Sequence, residues 1–308
     1  MISTRGLTKR YGPVTALEDL TVDVAPGVVG LVGANGAGKS TLIKILLGLL
    51  TPTSGAVRVL GLDAVTQGEA VREQVGYMPE HDCLPADVSA TEFVVHMARM
   101  SGLPATAARE RTADVLRHVG LYEERYRLIG GYSTGMRQRV KLAQALVHDP
   151  ALVLLDEPTN GLDPAGRDDM LALVRRIGTD FGISVLVTSH LLGELERVCD
   201  AVVVLDGGRL LRASSTAAAT AQREVLAVEV DERADELAAA LRAAGLQVGG
   251  DRVLEVVLAA GSSQSESPYD VVRDSVVRLD LGLLRMERRR HSIAELFGPA
   301  GVAPRVDV

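Results

Sequence analysis

"GANGAGKST", Gly33–Thr41, decides how the rest of this chain reads. It follows "VVGLV", Val28–Val32, a short valine-rich apolar run of the kind a buried strand shows. After it, "STLIKILLGLL", Ser40–Leu50, reads as a helix stopped by "TPTSG". A glycine-rich loop that joins a strand to a helix N-terminus, with Gly33, Gly38, Lys39 and Ser40 spaced as G-x-x-x-x-G-K-[ST], is a phosphate cradle. Glycines let the backbone curl until several N–H groups point inward. The helix N-terminus adds partial positive charge. Lys39 reaches the outer phosphates, and the Ser40 hydroxyl is placed for Mg²⁺.

A second apolar run complements the first. In "ALVLLDEP", residues 151–158, Leu152–Leu155 reads as a buried strand with Asp156 at its C-terminal end, the edge of an open α/β sheet where ligands gather. Asp156 is the expected metal carboxylate, directly or through water. Glu157, next to it, can accept a proton from an attacking water.

The totals set bounds. The 308 residues suggest two domains at about 150 residues each. Hydrophobic residues make up 47% and aromatics 3%, with no Trp, so the core is built from Leu, Val, Ile and Ala. There are 33 basic and 40 acidic residues, and the formal net charge of −7 argues against a nucleic-acid partner. Cys83 and Cys199 fit a reduced compartment without a disulfide framework. The N-terminal "MISTRGLTKRYG" has no signal-peptide core, and no window reaches 18 consecutive apolar residues. The chain is expected not to span a membrane by itself, so a membrane role needs a partner.

Between the two motifs lies "YSTGMRQRVKLAQALVHDP", residues 132–150, a helix from Gly135 on with Val140, Leu142, Ala143, Leu146 and Val147 on its apolar face. Ser133, Thr134 and Gly135 stand at its start, which makes a second anion-binding helix terminus. One cradle needs no second in the same site, so two suggest chains that share sites.

Here the sequence resembles the ABC transporter ATPases, over about residues 1–215. "GANGAGKST" is similar to their Walker A motif and "LVLLDE" to Walker B. "YSTGM" stands where the signature is expected, and "NGLD", Asn160–Asp163, resembles the D-loop. His190 in "VTSH" resembles the switch histidine. Tyr11 in "KRYG" resembles the aromatic that stacks on adenine, a contact worth about 1–3 kcal/mol per base. Two positions depart from the pattern. Glu80, in "VGYMPEH", replaces the usual Gln, which keeps an oxygen ligand but adds charge beside two acids. The signature carries Thr134 and Met136 but keeps Ser133 and Gly135. Both departures are similar to single-domain exporter ATPases that pair with a separate six-helix permease.

The resemblance implies a P-loop α/β fold, a RecA-like core plus a helical subdomain at about residues 85–145. It also implies ATP and Mg²⁺ as cofactors and a head-to-tail homodimer on the inner membrane face. The nucleotide would be held by Tyr11, by Gly33, Ala34, Asn35, Gly36, Ala37, Gly38, Lys39, Ser40 and Thr41, and by Ser133 and Gly135 of the other subunit. Ser40, Asp156 and Glu80 would bind the metal. Glu157 would polarise water, with His190 and Lys39 as its catalytic companions, and Asp163 would couple the two sites. The segment 85–130 shows two helical patterns, the first capped by Ser89 with Glu92 three residues on.

After a linker at 216–223, residues 224–308 read as a small ferredoxin-like domain, β-α-β-β-α-β. Its expected elements are a strand at 224–230, a helix at 233–244, strands at 246–248 and 253–258, a helix at 271–279 and a strand at 283–287, with a last short helix at "SIAELF". "RMERRRH", 285–291, reads as a solvated strand and turn, with anionic lipid or an acidic partner surface as the alternative. Two other readings of the whole chain stand beside export: a soluble ATPase acting on ribosomes or DNA, and a regulator that senses a ligand through its C-terminal domain. The single Walker A, the absence of a long coiled-coil insertion and the acidic balance count against the first.

Overall fold

The computed structural model describes residues 1–215, 224–250, 252–258 and 267–290. The segments 216–223 and "SIAELF" lie outside the described residues. The chain divides into two compact units, Met1–Ser214 and Ser215–Val308.

The first unit is organised by two sheets. Strands β1 (Ile2–Tyr11), β2 (Val14–Val24), β4 (Ser54–Val59) and β5 (Leu62–Asp63) form one in the order β2-β1-β4-β5. Its β1 pairings with β2 and β4, and the β4/β5 pairing, are antiparallel. Strands β3 (Val28–Val32), β6 (Val75–Met78), β7 (Leu152–Leu155), β8 (Ser184–Ser189), β9 (Ala201–Asp206) and β10 (Arg209–Ser215) form the other, in the order β10-β9-β3-β8-β7-β6. Its pairings β9/β3, β3/β8, β8/β7 and β7/β6 are parallel. Strands β3 and β7 are buried along their whole length, which is why they read as unbroken apolar runs rather than alternating ones.

Helix α1 (Lys39–Leu46) shares one apolar core with both sheets: Ile43, Ile45 and Leu46 join Leu7, Leu17 and Leu20, and Leu31, Leu154 and Leu186. The helix is shorter than the expected Ser40–Leu50. Gly48, at φ +66°, turns the chain out, and a Cβ there would stand 2.6 Å from the Ala64 carbonyl oxygen. The apolar periodicity continues past the point where the backbone stops being helical. Helix α2 (Gly68–Gln74) leads into β6.

Registers matter more to function than the count of strands. Leu31 lies opposite Thr188 and Val32 opposite Ser189, while Leu155 lies opposite both Val187 and Met78. The C-terminal ends of β3, β6, β7 and β8 therefore fall at one edge. That edge carries, in turn, Gly33, the Pro79–Glu80 segment, Asp156–Glu157 and His190.

Helices α3 (Ala90–Met100), α4 (Ala105–His118) and α5 (Thr134–Leu146) form the helical part, packed through Val94, Ala98, Ala108, Val115 and Leu116. The Ser89–Glu92 capping box is complete: Ser89 Oγ accepts from the Glu92 amide at 3.2 Å, and the Ser89 amide donates to Glu92 Oε2 at 2.8 Å. Helices α6 (Pro164–Asp180) and α7 (Leu192–Glu196) follow β7 and β8. Among the described residues no helix is long and apolar enough to cross a membrane.

In the second unit, β11 (Glu224–Val230), α8 (Ala234–Ala243), β12 (Val248–Gly249), β13 (Val253–Val257), α9 (Pro268–Arg278) and β14 (Leu283–Arg290) run β-α-β-β-α-β, with sheet order β12-β13-β11-β14 and antiparallel pairs throughout. This is the ferredoxin-like arrangement. Leu226, Val228, Leu254 and Val256 pack on Leu237, Leu241, Val272 and Val276. Leu246, expected at a strand start, closes the preceding helix instead, its amide bonded to the Leu241 carbonyl after Gly245 at φ +85°. The arginine run lies on β14, where Arg285 pairs with Glu287 at 2.6 Å.

Candidate active site

The glycine loop is fixed by close contacts and by bonds from its own lysine. A Cβ at Gly33 would stand 2.7 Å from the Leu205 carbonyl oxygen and 2.8 Å from Ala37 Cβ, so only glycine fits against β9. Gly38, at φ +98°, is the N-cap of α1. Lys39 Nζ donates to the Gly33 carbonyl at 2.6 Å and the Ala34 carbonyl at 3.5 Å. It also stands 3.3 Å from Glu157 Oε1, with both side chains 7% exposed. Phosphate oxygens are the natural competitors for that buried ammonium.

Asp156 and Glu157 leave β7 in unlike conformations. Glu157 sits at φ +50°, a left-handed geometry that costs on the order of 1–3 kcal/mol for a residue with a side chain. It is braced from two sides. Its amide donates to Thr188 Oγ1 at 2.8 Å, and its Oε2 lies 2.9 Å from His190 Nδ1. The Thr188 hydroxyl in turn donates to Asp156 Oδ1 at 2.8 Å. One buried hydroxyl therefore fixes both acids. Burial pushes the Asp156 carboxyl pKa up, and Glu80 and Glu157 push it further, against the Thr188 hydrogen bond and Lys39. A carboxylate in that position is short of positive charge.

Glu80 Oε1 accepts from Asn160 Nδ2 at 3.3 Å, and the Asn160 carbonyl accepts from Gln138 Nε2 at 3.1 Å. These groups border a cleft of about 450 Å³ lined by Ala16, Ala34, Asn35, Gly36, Gly38, Lys39, Ser40, Thr41, Glu80, Asp156, Glu157, Asn160 and His190. The Ser40 hydroxyl and the Asp156 and Glu80 carboxylates supply hard oxygen donors suited to Mg²⁺. Among the described residues no three His, Cys, Asp or Glu side chains form a ready-made metal cluster.

The remaining expected residues stand elsewhere. Ser133, Gly135 and Asp163 line a separate groove of about 700 Å³ with Thr134, Met136, Gly161 and Leu162. Ser133 caps α5, its Oγ accepting from the Met136 amide at 3.3 Å, and Asp163 caps α6, accepting from the Gly166 amide at 2.9 Å. Tyr11 ends β1, 47% exposed, with Lys9 Nζ 5.1 Å from its ring centroid. It is not among the residues lining the cleft. Sequence reasoning missed Thr188, Gln138 and a buried lysine, Lys141. Thr188 is a strand residue like any other, and the two on α5 lie within a helix whose pattern names only its apolar face.

A glycine-rich cradle at a helix N-terminus, a carboxylate pair after a parallel strand and a histidine on that pair together define a P-loop nucleotide hydrolase. The ABC transporter family pattern matches residues 17–160. The chain is 38% identical over 211 residues to an uncharacterized ABC transporter ATP-binding protein, YxlF, of Bacillus subtilis, covering 68% of this chain and 69% of that one. It is 38% identical over 216 residues to the daunorubicin/doxorubicin resistance ATP-binding protein DrrA of Streptomyces peucetius, covering 70% and 65%. The bacitracin transport ATP-binding protein BcrA of Bacillus licheniformis is 37% identical over 212 residues, with 68% of each chain covered. Matched segments thus span about two thirds of these relatives. Among solved structures, that of cbiO1 from Clostridium perfringens, part of an ABC transporter complex, superposes with a TM-score of 0.65 at 27% identity, covering 70% of this chain and 88% of that one. The chain belongs to the ABC transporter ATP-binding proteins; it is an ATP-binding and ATP-hydrolysing subunit of that family.

Proposed function

We propose that this chain is the energy-converting subunit of an exporter for a drug, antibiotic, lipid or other hydrophobic cargo, acting as a head-to-tail homodimer on a separate multi-span permease. Residues 1–215 form the ATPase domain and 224–308 an accessory domain, joined at 216–223. The observation that carries the dimer is the split of the machinery. The phosphate cradle, the acids and His190 border one cleft, while Ser133, Gly135 and Asp163 border another. A complete site then takes its cradle from one chain and its signature from the next. The relatives' names, daunorubicin/doxorubicin resistance, bacitracin transport and Nod factor export, support this reading.

In this reading Lys39 leaves Glu157 for the outer phosphates as ATP binds, and the amides from Asn35 to Thr41 hold the rest. Ser40, Asp156 and Glu80 would hold Mg²⁺, which when bound neutralises phosphate charge. Glu157, released from Lys39 and steadied by His190 and Thr188, polarises the attacking water. The partner's Ser133 and Gly135 close over the γ-phosphate, and Asp163 couples the two sites. Tyr11 stacks on the adenine. Attachment is peripheral, through the permease, at the inner face of the membrane.

The test is co-purification. A tagged Glu157→Gln chain, extracted gently from native membranes with ATP present, is expected to bring down a six-helix membrane protein at equal stoichiometry. Recovery of ribosomes, DNA-repair proteins or only the homodimer would overturn the export reading.

A further inference from the structure

Lys141 lies in the middle of α5 between Val140 and Leu142, both wholly buried, and is itself 3% exposed. Burying an ammonium costs several kcal/mol unless its donors are all used. Here they are. Lys141 Nζ donates to the Pro79 carbonyl at 2.7 Å, the Glu80 carbonyl at 2.9 Å and the His81 carbonyl at 3.5 Å. One turn earlier on the same helix face, Arg137 reaches Asp82 at 3.3 Å. That pair is exposed and adds little strength, but it grips the next residue of the same segment. Four successive residues, 79–82, are thus tied to one helix. The third tie on this segment is the Asn160 amide on the Glu80 carboxylate.

The segment places a third acid, Glu80, in the cleft with Asp156 and Glu157. Burial pushes the Lys141 ammonium pKa down, and Cys83, Asp82, Glu80 and Asp156 oppose that shift without cancelling it. A side chain without a donor at 141 would take this shared donor from three carbonyls.

We propose that Lys141 is a positioning residue of the ATPase site: its ammonium clamps the main chain of Pro79, Glu80 and His81 onto α5, which aims the Glu80 carboxylate into the cleft, and its charge offsets the acid that stands there. Because α5 begins at Ser133 and Thr134, the same clamp ties the Glu80 segment to the signature. The inference rests on the ATPase reading of the cleft.

The experiment compares Lys141→Met in two backgrounds, wild type and Glu80→Ala, by kcat, by affinity for a fluorescent ATP analogue, and by amide exchange across 79–84. In the wild-type background kcat is expected to fall about tenfold. Nucleotide affinity should stay within about twofold, since the cradle is untouched. Exchange should rise at 79–84 and not along α5. With Glu80→Ala the same change should cost less than about threefold, because no side-chain ligand remains to misplace. Equal penalties in both backgrounds, a parallel loss of affinity, or unchanged exchange at 79–84 would each overturn the proposal. Should Lys141→Met not fold, Lys141→Gln, which keeps a donor, is read by the same three measures. A wild-type chain that binds the analogue without hydrolysing ATP would count against the ATPase reading, and the exchange arm would still judge the clamp.

Discussion

Replacing Thr188 by valine removes one hydroxyl and almost no volume. Thr188 is wholly buried, and its Oγ1 both accepts from the Glu157 amide and donates to Asp156, each at 2.8 Å. In Thr188→Val the Glu157 N–H is left buried without an acceptor, a loss of about 1–3 kcal/mol. Asp156 loses a charge-assisted bond of about 1.5–3 kcal/mol. Glu157 also loses the brace that holds its left-handed backbone, so part of the cost is relieved by relaxation at the expense of geometry. A net destabilisation of about 3 kcal/mol is the reasonable middle. For a unit of this size that lowers the melting temperature by about 6–12 °C. Turnover should fall further than stability alone predicts, about ten- to a hundredfold, because both acids move. Scanning calorimetry and steady-state ATP hydrolysis read the two effects, with Thr188→Ser, which keeps the hydroxyl, as the comparison. If Thr188→Val melts within about 1 °C of wild type and hydrolyses ATP at the wild-type rate, the bridge carries neither structure nor chemistry and the reasoning fails.

Three further outcomes follow from the geometry. Gly33→Ala must push the loop away from the Leu205 carbonyl oxygen 2.7 Å from the new Cβ, so affinity for an ATP analogue should weaken at least about tenfold while the second unit is unaffected. Ser89→Ala breaks the capping box of α3 and should cost about 1 kcal/mol, a melting shift of about 2–4 °C, with nucleotide affinity unchanged. Burial pushes the His148 ring pKa down, so the folded chain resists a proton that the unfolded chain accepts. The stability this histidine contributes is present above its unfolded value near 6.5 and is lost as pH falls below it. His148→Gln should flatten the fall in stability below about pH 6.5, read by denaturant unfolding at each pH.

What the sequence makes legible here is what local backbone chemistry dictates. The cradle needs glycines where a Cβ would strike Leu205, and β3 and β7 need unbroken apolar runs because both faces are covered. Ser89 and Glu92 announce α3 because a capping box is built within four residues. Long-range choices leave no such mark. Thr188, on β8, reaches across to Asp156, 32 positions away, and nothing in "SVLVTS" distinguishes it from a solvent-facing threonine. Lys141 looks like an ordinary charged helix position until the Pro79–His81 carbonyls are seen around it. The end of α1 was hidden for the opposite reason, since "LLGLL" keeps its apolar pattern while Gly48 leaves the helix. The separation of Ser133 from Lys39 is topological: their loops border different depressions.

That separation is the centre of the account, and subunit mixing tests it most directly. One chain carries Lys39→Ala, which empties its cradle, and the other carries Gly135→Asp, which blocks its signature. Each alone is expected to be inactive. In a head-to-tail dimer the mixed pair rebuilds one intact site, from the cradle of the second chain and the signature of the first. Random pairing then returns up to about a quarter of wild-type ATP hydrolysis at equal amounts. No recovery at any mixing ratio, from two variants that each fold and dimerise with wild type, would contradict the shared site and the mechanism built on it.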